Sequence, residues 1–358
     1  GPTISLMRKK IRIFGLLVVL VVVAVPLVTA WISSYLHQPL PLTEPRVVEV
    51  QRGSGLSQVL DGLKKQGLLG DGYQADFRRL GARIYSSLTD MDGRMHVGEY
   101  RLRPGDSLLS LLEKIDRGEV IQRSLTLVEG WNFRELRLRL AAQEGLTHTL
   151  DSLTDEQIME KLGRPDLHPE GWFAPETYFY TRGTSDLTIL RRALERQEGV
   201  LEEAWSQKAD DLPIDSPYEA LILASIIEKE TGVPDERPEI AGVFTNRLRR
   251  GMRLQTDPTV IYGMGEAYNG NIRRSDLRRH TPYNTYTISG LPPTPIAMPG
   301  REAILAAVNP AETESLYFVA RGDGSHYFSK TLAQHQKAVR DYQLRRREGY
   351  RSSPGGSQ

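Results

Sequence analysis

The chain has no cysteine. That excludes disulfides, zinc–thiolate sites and thiol nucleophiles, and it is compatible with an oxidising compartment. The seven histidines are scattered, with no His-x-x-His or His-Glu-x-x-His pair, so no metal-ligand motif is present. A surplus of either charge is missing too. The 46 Lys and Arg against 45 Asp and Glu leave a formal net charge of +1, without the basic footprint of a nucleic-acid-binding protein. Basic runs such as Arg249-Arg250 and Arg345-Arg346-Arg347 read as solvated faces or helix ends. With 358 residues there is room for two or three domains with ordinary cores.

What the chain does have is a nearly unbroken apolar run from Ile13 to Ile32, the length that spans a bilayer. Arg8, Lys9, Lys10 and Arg12 precede it and no comparable basic cluster follows closely, so the positive-inside rule puts the N-terminus in the cytoplasm and the rest outside. The competing reading is a cleaved signal peptide with Val28-Thr29-Ala30 as the cleavage site; the run is long for a signal core, which favours an uncleaved anchor. Gly1 to Leu6, ahead of Met7, reads as a cloning remnant, so residues 1–12 comprise that remnant and a basic cytoplasmic segment.

Residues 33–45, polar with Pro39, Pro41 and Pro45, are expected to be a linker. Val47, Val48 and Val50 begin a strand, Ser57 to Gln66 has helical spacing, and Gly98 to Leu102 reads as a second strand. Pro104-Gly105-Asp106-Ser107 then makes a turn and cap for a helix from Leu108 to Arg117, stopped by Gly118. This strand, turn and leucine-rich helix looks like a LysM-type unit, a small module that grips N-acetylated glycans, and residues 46–123 are assigned to it. From Ser124 the pattern changes. Residues 124–343 form the larger domain, with Asp186 to Trp205 as a charged scaffold helix, and the Arg-, Ser- and Gly-rich residues 344–358 read as a disordered tail. The Arg321-Gly322-Asp323 triplet beside Gly324 is a hairpin turn rather than an adhesion motif.

Leu221 to Gly232, LILASIIEKETG, carries the main chemical signal. Ser216, Pro217 and Glu219 read as N-cap, first helical residue and capping-box glutamate, while Gly232 and Pro234 stop the helix. At about 100° per residue, Ile222, Leu223, Ile226 and Ile227 define an apolar face, and Glu230 projects from its middle. Glu228 points almost the opposite way. A carboxyl against an apolar wall near a helix C-terminus has its charged form disfavoured, which keeps an acid protonated near neutral pH for general acid catalysis. Such a glutamate is more often a paired structural residue, with Arg237, Arg247 and Arg253 as available partners.

Two further stretches, RLQTDPTVIYGMG from Arg253 and YNTYTISGLPPTPIAMPG from Tyr283, have the composition of loops that shape a site. Glu-Gly-Trp occurs twice, at Glu129 to Trp131 and at Glu170 to Trp172. Aromatics beside carboxylates suit a sugar-binding cleft, the alternative being a core tryptophan in a tight turn.

ASIIEKET at Ala224–Thr231, NRL at Asn246–Leu248, MRLQTDPTVIYGMG at Met252–Gly265, YNTY at Tyr283–Tyr286, GLPP at Gly290–Pro293, the Glu170 turn, and His326, Phe328 and His335 occur in one order. Together they closely resemble the YceG/MltG family of membrane-anchored endolytic lytic transglycosylases, over nearly the whole chain. The resemblance implies an α+β protein with a single N-terminal transmembrane helix, a LysM-like module and a mixed α/β catalytic domain. It implies cleavage of the β-1,4 bond between N-acetylmuramic acid and N-acetylglucosamine in peptidoglycan without water, leaving a 1,6-anhydro-muramyl end. The enzyme would face the periplasm from the bacterial inner membrane, act on nascent glycan strands, have cell-wall synthases as neighbours, and need no metal or organic cofactor. The family's catalytic glutamate maps to Glu230, with Glu228 as the other candidate acid. Gln255, Thr256, Asp257, Tyr262, Asn284, Tyr286, Glu170 and Trp172 are assigned to substrate binding. The alternatives are a glycoside hydrolase using Glu230 with Asp257, and a non-catalytic wall-binding protein.

Overall fold

Two compact units divide the chain, residues 1–123 with 180–183 and residues 124–179 with 184 onward. The computed structural model describes residues 2–343; Gly1 and the tail at 344–358 lie outside the described residues. The fold is α+β.

In the first unit, helix α1 (Pro2–His37) holds the apolar run and is long and apolar enough to cross a membrane. It continues past Ile32, since no proline or glycine intervenes before Pro39. The stretch expected as a free linker is therefore partly built into the unit. Leu36 and Leu40 are buried, and Leu40 N–H donates to Asp106 O at 2.8 Å. Strand β1 (Arg46–Val50) pairs antiparallel with β2 (Gly98–Leu102), Val48 opposite Tyr100. Between them run α2 (Leu56–Lys65) and α3 (Tyr73–Thr89), and α4 (Leu108–Arg117) follows. Leu60, Leu63, Tyr100, Leu102, Leu111 and Leu112 fill the core. Ser107 Oγ accepts the Ser110 N–H at 3.1 Å to start α4, and Gly118 ends it at φ 69°, a left-handed position that favours glycine. No cap signal announces α3. It starts at Gly72 with no side-chain cap and stops at Asp90, left-handed without being glycine.

Strand β3 (Arg123–Thr126) pairs with β4 (Thr177–Tyr180), both in the second unit except for the end residues Arg123 and Tyr180, with α5 (Phe133–Ala142) and α6 (Asp155–Lys161) between them in sequence. Helices α7 (Asp186–Ser206), α8 (Pro217–Glu230), α9 (Arg237–Arg249), α10 (Asp257–Met264), α11 (Arg274–Arg278) and α12 (Arg301–Val308) follow. The hairpin of β5 (Tyr317–Ala320) and β6 (His326–Ser329) and helix α13 (Leu332–Tyr342) complete the unit. The hairpin connection holds the Arg-Gly-Asp triplet, with Gly322 and Gly324 at φ 98° and 96°.

Helix α8 is central. It packs against α7, α9, α10 and α12, so Ala220 to Ile227 are buried all round the helix and not on one face. The expected loop from Arg253 is corrected as well, since Asp257–Met264 is helical. Asp257-Pro258 reads locally as a turn, yet proline fits a first helical turn because no N–H is needed there. Gly263 and Gly265 hide the rest of the helix. A Cβ at Gly263 would lie 3.0 Å from Tyr283 Cβ, so the glycine is set by close approach and not by a turn.

Candidate active site

The site is built where α8 stops. Ser216 caps the start of α8 by accepting the Glu219 N–H at 3.2 Å. Ser225 Oγ donates to Ile222 O at 2.6 Å and accepts the Ile296 N–H at 3.0 Å, fixing the helix against the 294–300 loop. Glu230 is the last helical residue, and Thr231 leaves the helix in extended conformation.

A cleft of about 1560 Å³ opens over Glu230, with Gln255, Thr256, Asp257, Tyr262, Tyr286 and Glu170 in its walls. Thr256 Oγ1 makes a short hydrogen bond to Glu230 Oε1. Burial pushes the Glu230 carboxyl up to about 7; the Asp257 charge adds to the rise and the Thr256 bond opposes it. Thr256 is itself fixed from behind, its N–H on Thr285 Oγ1 at 2.9 Å and its carbonyl accepting from Thr259 Oγ1 at 2.8 Å. Gln255 reaches this turn at φ 50°, a left-handed conformation uncommon for a side chain of its size. Asp257 Oδ1 accepts the Tyr286 hydroxyl at 2.6 Å.

Glu170 is 2% exposed. It accepts the Phe133 N–H at 2.9 and 3.1 Å and the Tyr262 hydroxyl at 2.9 Å. Burial nevertheless raises its carboxyl to about 7. Tyr262 meets Tyr283 edge to face at 4.9 Å, and Tyr283 reaches Thr294 Oγ1 at 2.7 Å. Helix α10 thus spans the site, with Thr256 preceding it on Glu230 and Tyr262 within it on Glu170.

Three residues singled out from the sequence stand apart from the cleft wall. Trp172 is buried, stacked on Tyr218 at 6.0 Å. Asn284 is 1% exposed; its amide donates to the Leu277 and Arg279 carbonyls at 2.9 and 2.7 Å and its Oδ1 accepts the Tyr286 N–H at 2.9 Å, so it shapes the loop that carries Tyr286. Glu228 turns away from Glu230, accepts the Gly300 N–H at 2.8 Å and lies 3.8 Å from Arg237. Of the arginines near α8, Arg237 therefore faces Glu228, while Arg247 and Arg253 donate to backbone carbonyls.

Two groups lining the cleft were not assigned to catalysis or substrate binding by sequence reasoning. Arg247 lies over the Tyr317 ring at 4.9 Å, and Tyr317 stacks on His335 at 5.0 Å. His326 is held by Glu236, which accepts its N–H at 2.7 Å and pairs with its Nδ1 at 2.8 Å. The same Glu236 takes the Thr231 hydroxyl at 3.3 Å, next to Glu230. The pairing joins residues 90 apart, beyond the reach of local spacing.

The model of the YceG-like family matches residues 48–341. The endolytic murein transglycosylase of Bacillus subtilis (strain 168) is 30% identical over 314 residues, covering 82% of this chain and 84% of that protein. The endolytic murein transglycosylase of Streptococcus pneumoniae serotype 2 (strain D39) is 26% identical over 331 residues, covering 82% of this chain and 58% of that protein. A 2.6 Å crystal structure of a yceG-like protein from Listeria monocytogenes superposes with a TM-score of 0.52 at 29% identity, over 83% of this chain and 99% of that one. By the extent of the family match, and with the Glu230–Thr256 pair inside the matched residues, the chain belongs to the YceG-like family.

Proposed function

We propose that the protein is a membrane-anchored lytic transglycosylase of peptidoglycan that cuts the β-1,4 bond between N-acetylmuramic acid and N-acetylglucosamine. The observation that carries this reading is the setting of Glu230, a carboxyl raised to about 7 by burial and held by one hydroxyl in an open cleft. An acid so poised is part protonated near neutral pH and can give a proton to a leaving oxygen. Glu230 protonates the glycosidic oxygen as the C1–O bond breaks, and the N-acetylglucosamine leaves with that proton on its hydroxyl. Oxocarbenium character builds at C1 of the muramic sugar. The Glu230 carboxylate then takes the proton of the C6 hydroxyl, and O6 closes on C1 to form the 1,6-anhydro ring. No water is consumed, so no second carboxylate is needed. Asp257 would be the partner in a hydrolase, but one of its oxygens is occupied by the Tyr286 hydroxyl, which favours a positioning role.

The names of the relatives support peptidoglycan as the substrate. Helix α1 with its basic N-terminal flank supports a single-pass anchor with the remainder outside the cytoplasm. Residues 46–123 are read as the LysM-like module and 124–343 as the catalytic domain.

Mass spectrometry of the products released from nascent glycan by wild type, Glu230→Gln and Asp257→Asn tests the reading. Anhydro-muramyl ends are expected from wild type, none from Glu230→Gln, and a reduced yield of the same ends from Asp257→Asn. Reducing ends from wild type that vanish in Asp257→Asn would make the enzyme a hydrolase.

A further inference from the structure

Helix α3 is built the wrong way round for a helix surrounded by water and protein. It buries Ala75, Arg78, Gly81, Ala82 and Ser86, all small except an arginine, whose guanidinium is held by the Leu69 and Pro39 carbonyls at 2.7 and 3.2 Å. Apart from Phe77 and Tyr85, which are half-buried, its large apolar side chains are outside. Tyr73, Leu80, Ile84 and Leu88 stand 64, 43, 39 and 81% exposed. With Phe77 they fall on one stripe at helical spacing. A single exposed leucine needs no explanation, but a continuous apolar stripe along a whole helix marks a surface that meets something apolar.

The stripe is continuous with α1. Phe77 meets Trp31 edge-on at 4.5 Å and stacks on Tyr35 at 5.3 Å. A Cβ at Gly81 would lie 3.1 Å from Leu36 Cγ and 3.3 Å from Ile32 Cγ2, so a glycine stands where the two helices come closest. At 1.5 Å per residue the apolar run of α1 from Ile13 to Ile32 is about 30 Å long, the thickness of the hydrocarbon core. The crossing at Trp31 to Leu36 therefore falls at its outer boundary, where tryptophan and tyrosine concentrate. Arg83, exposed at the edge of the stripe, has the charge to meet anionic headgroups.

We propose that α3 is a membrane-seated helix, with Tyr73, Leu80, Ile84 and Leu88 immersed in the outer leaflet beside α1. The first unit then rests on the bilayer instead of hanging from a flexible tether. The inference depends on α1 spanning the membrane, and the test separates the two claims.

Because the chain has no cysteine, an introduced one is unique. Full-length protein carrying Leu20→Cys in α1, Ile84→Cys or Leu88→Cys in α3, or Leu138→Cys on exposed α5 is labelled with a fluorophore. It is then placed in phosphatidylethanolamine/phosphatidylglycerol vesicles with or without brominated acyl chains. Bromolipid quenching at Ile84 and Leu88 comparable with Leu20, and severalfold stronger than at Leu138, is the expected result. Quenching at Leu20 with Ile84 and Leu88 at the Leu138 level overturns the seat and leaves the anchor standing. No quenching at any site removes the anchor reading and the seat with it. Disulfide-linked dimers of unlabelled Ile84→Cys, together with no bromolipid quenching of the labelled variant, would make the stripe a seam between two copies and overturn the proposal.

Discussion

Glu230→Gln separates what the acid does from what it costs the fold. Burial is the main influence on this carboxyl and carries it from 4.5 to about 7. Since the folded-state value lies above the unfolded one, the folded protein holds an extra proton between those two pH values. Below about pH 4.5 Glu230 is protonated in both states and contributes no penalty; as pH rises through about 7 the folded state must carry a desolvated charge. At about 1.4 kcal/mol for each tenfold change in proton affinity, the full penalty is about 3 kcal/mol, reduced by the part of the residue open to water. Glutamine keeps the shape and can accept the Thr256 hydroxyl bond without the charge. The variant is therefore expected to make no anhydro ends, to melt close to wild type at about pH 5, and to melt several degrees higher at about pH 8, on a scale of roughly 2–4 °C per kcal/mol. Trp131, Trp172 and Trp205, three of the four tryptophans, lie in the second unit, so tryptophan emission of the full chain in detergent follows the relevant transition. Glu170, also raised by burial, is present in both proteins and cancels. A variant that melts at or below wild type at about pH 8 would refute the reasoning, because the carboxylate would then be stabilised by a partner and not desolvated.

Thr256→Val removes the donor that favours the Glu230 carboxylate, so the pH–rate limb belonging to Glu230 should move to higher pH by about one to two units, the size of a hydrogen bond to a charged group. An unmoved limb would show that Thr256 does not tune the acid. The two Glu-Gly-Trp turns predict unequal outcomes for one substitution. Gly171→Ala combines φ 87° with a Cβ placed 2.6 Å from Pro295 Cβ, whereas Gly130→Ala combines φ 86° with nothing nearer than Lys229 Cδ at 3.8 Å. Thermal melts should show the second losing about 1–2 kcal/mol from left-handed strain and the first losing more, with the reverse order refuting the clash.

How far the sequence could be read depended on the range of the interaction. The Ser216 cap, the Gly118 stop and the β5–β6 turn are local, and each is legible from a few residues. Glu230 was nominated from helical spacing and from the ASIIEKET resemblance; since α8 is buried all round, its desolvated setting comes from tertiary packing and not from a single apolar face. Trp172 and Asn284 show the opposite case. Their side chains suit a sugar, yet one packs on Tyr218 and the other ties together backbone carbonyls of α11, and only tertiary context separates those uses. Glu170 and Tyr262 are 92 residues apart, so their pairing has no signal in a single sequence. Helix α3 was passed over for a different reason: its ends lack caps, although Tyr73, Phe77, Leu80, Ile84 and Leu88 repeat at helical spacing.

A group that must serve as acid and then base, the role proposed for Glu230, is suited by a placement between two helix ends. Glu230 closes α8, where the negative end of the helix and the dry wall favour the protonated form. Its carboxyl meets Thr256, the N-cap residue of α10. An N-cap threonine normally turns its hydroxyl oxygen to a backbone N–H of its own helix, but Thr256 makes no such bond and donates a hydrogen bond to Glu230 instead. That forgoes about 1 kcal/mol of capping, and the left-handed Gln255 just before it adds backbone strain. Both costs fall on the segment that tolerates the carboxylate once the proton has left. A site optimised for stability alone would cap α10 and leave Glu230 either exposed or replaced by an apolar residue. The uncapped helix is what a group needs if it must give a proton in one step and recover one in the next.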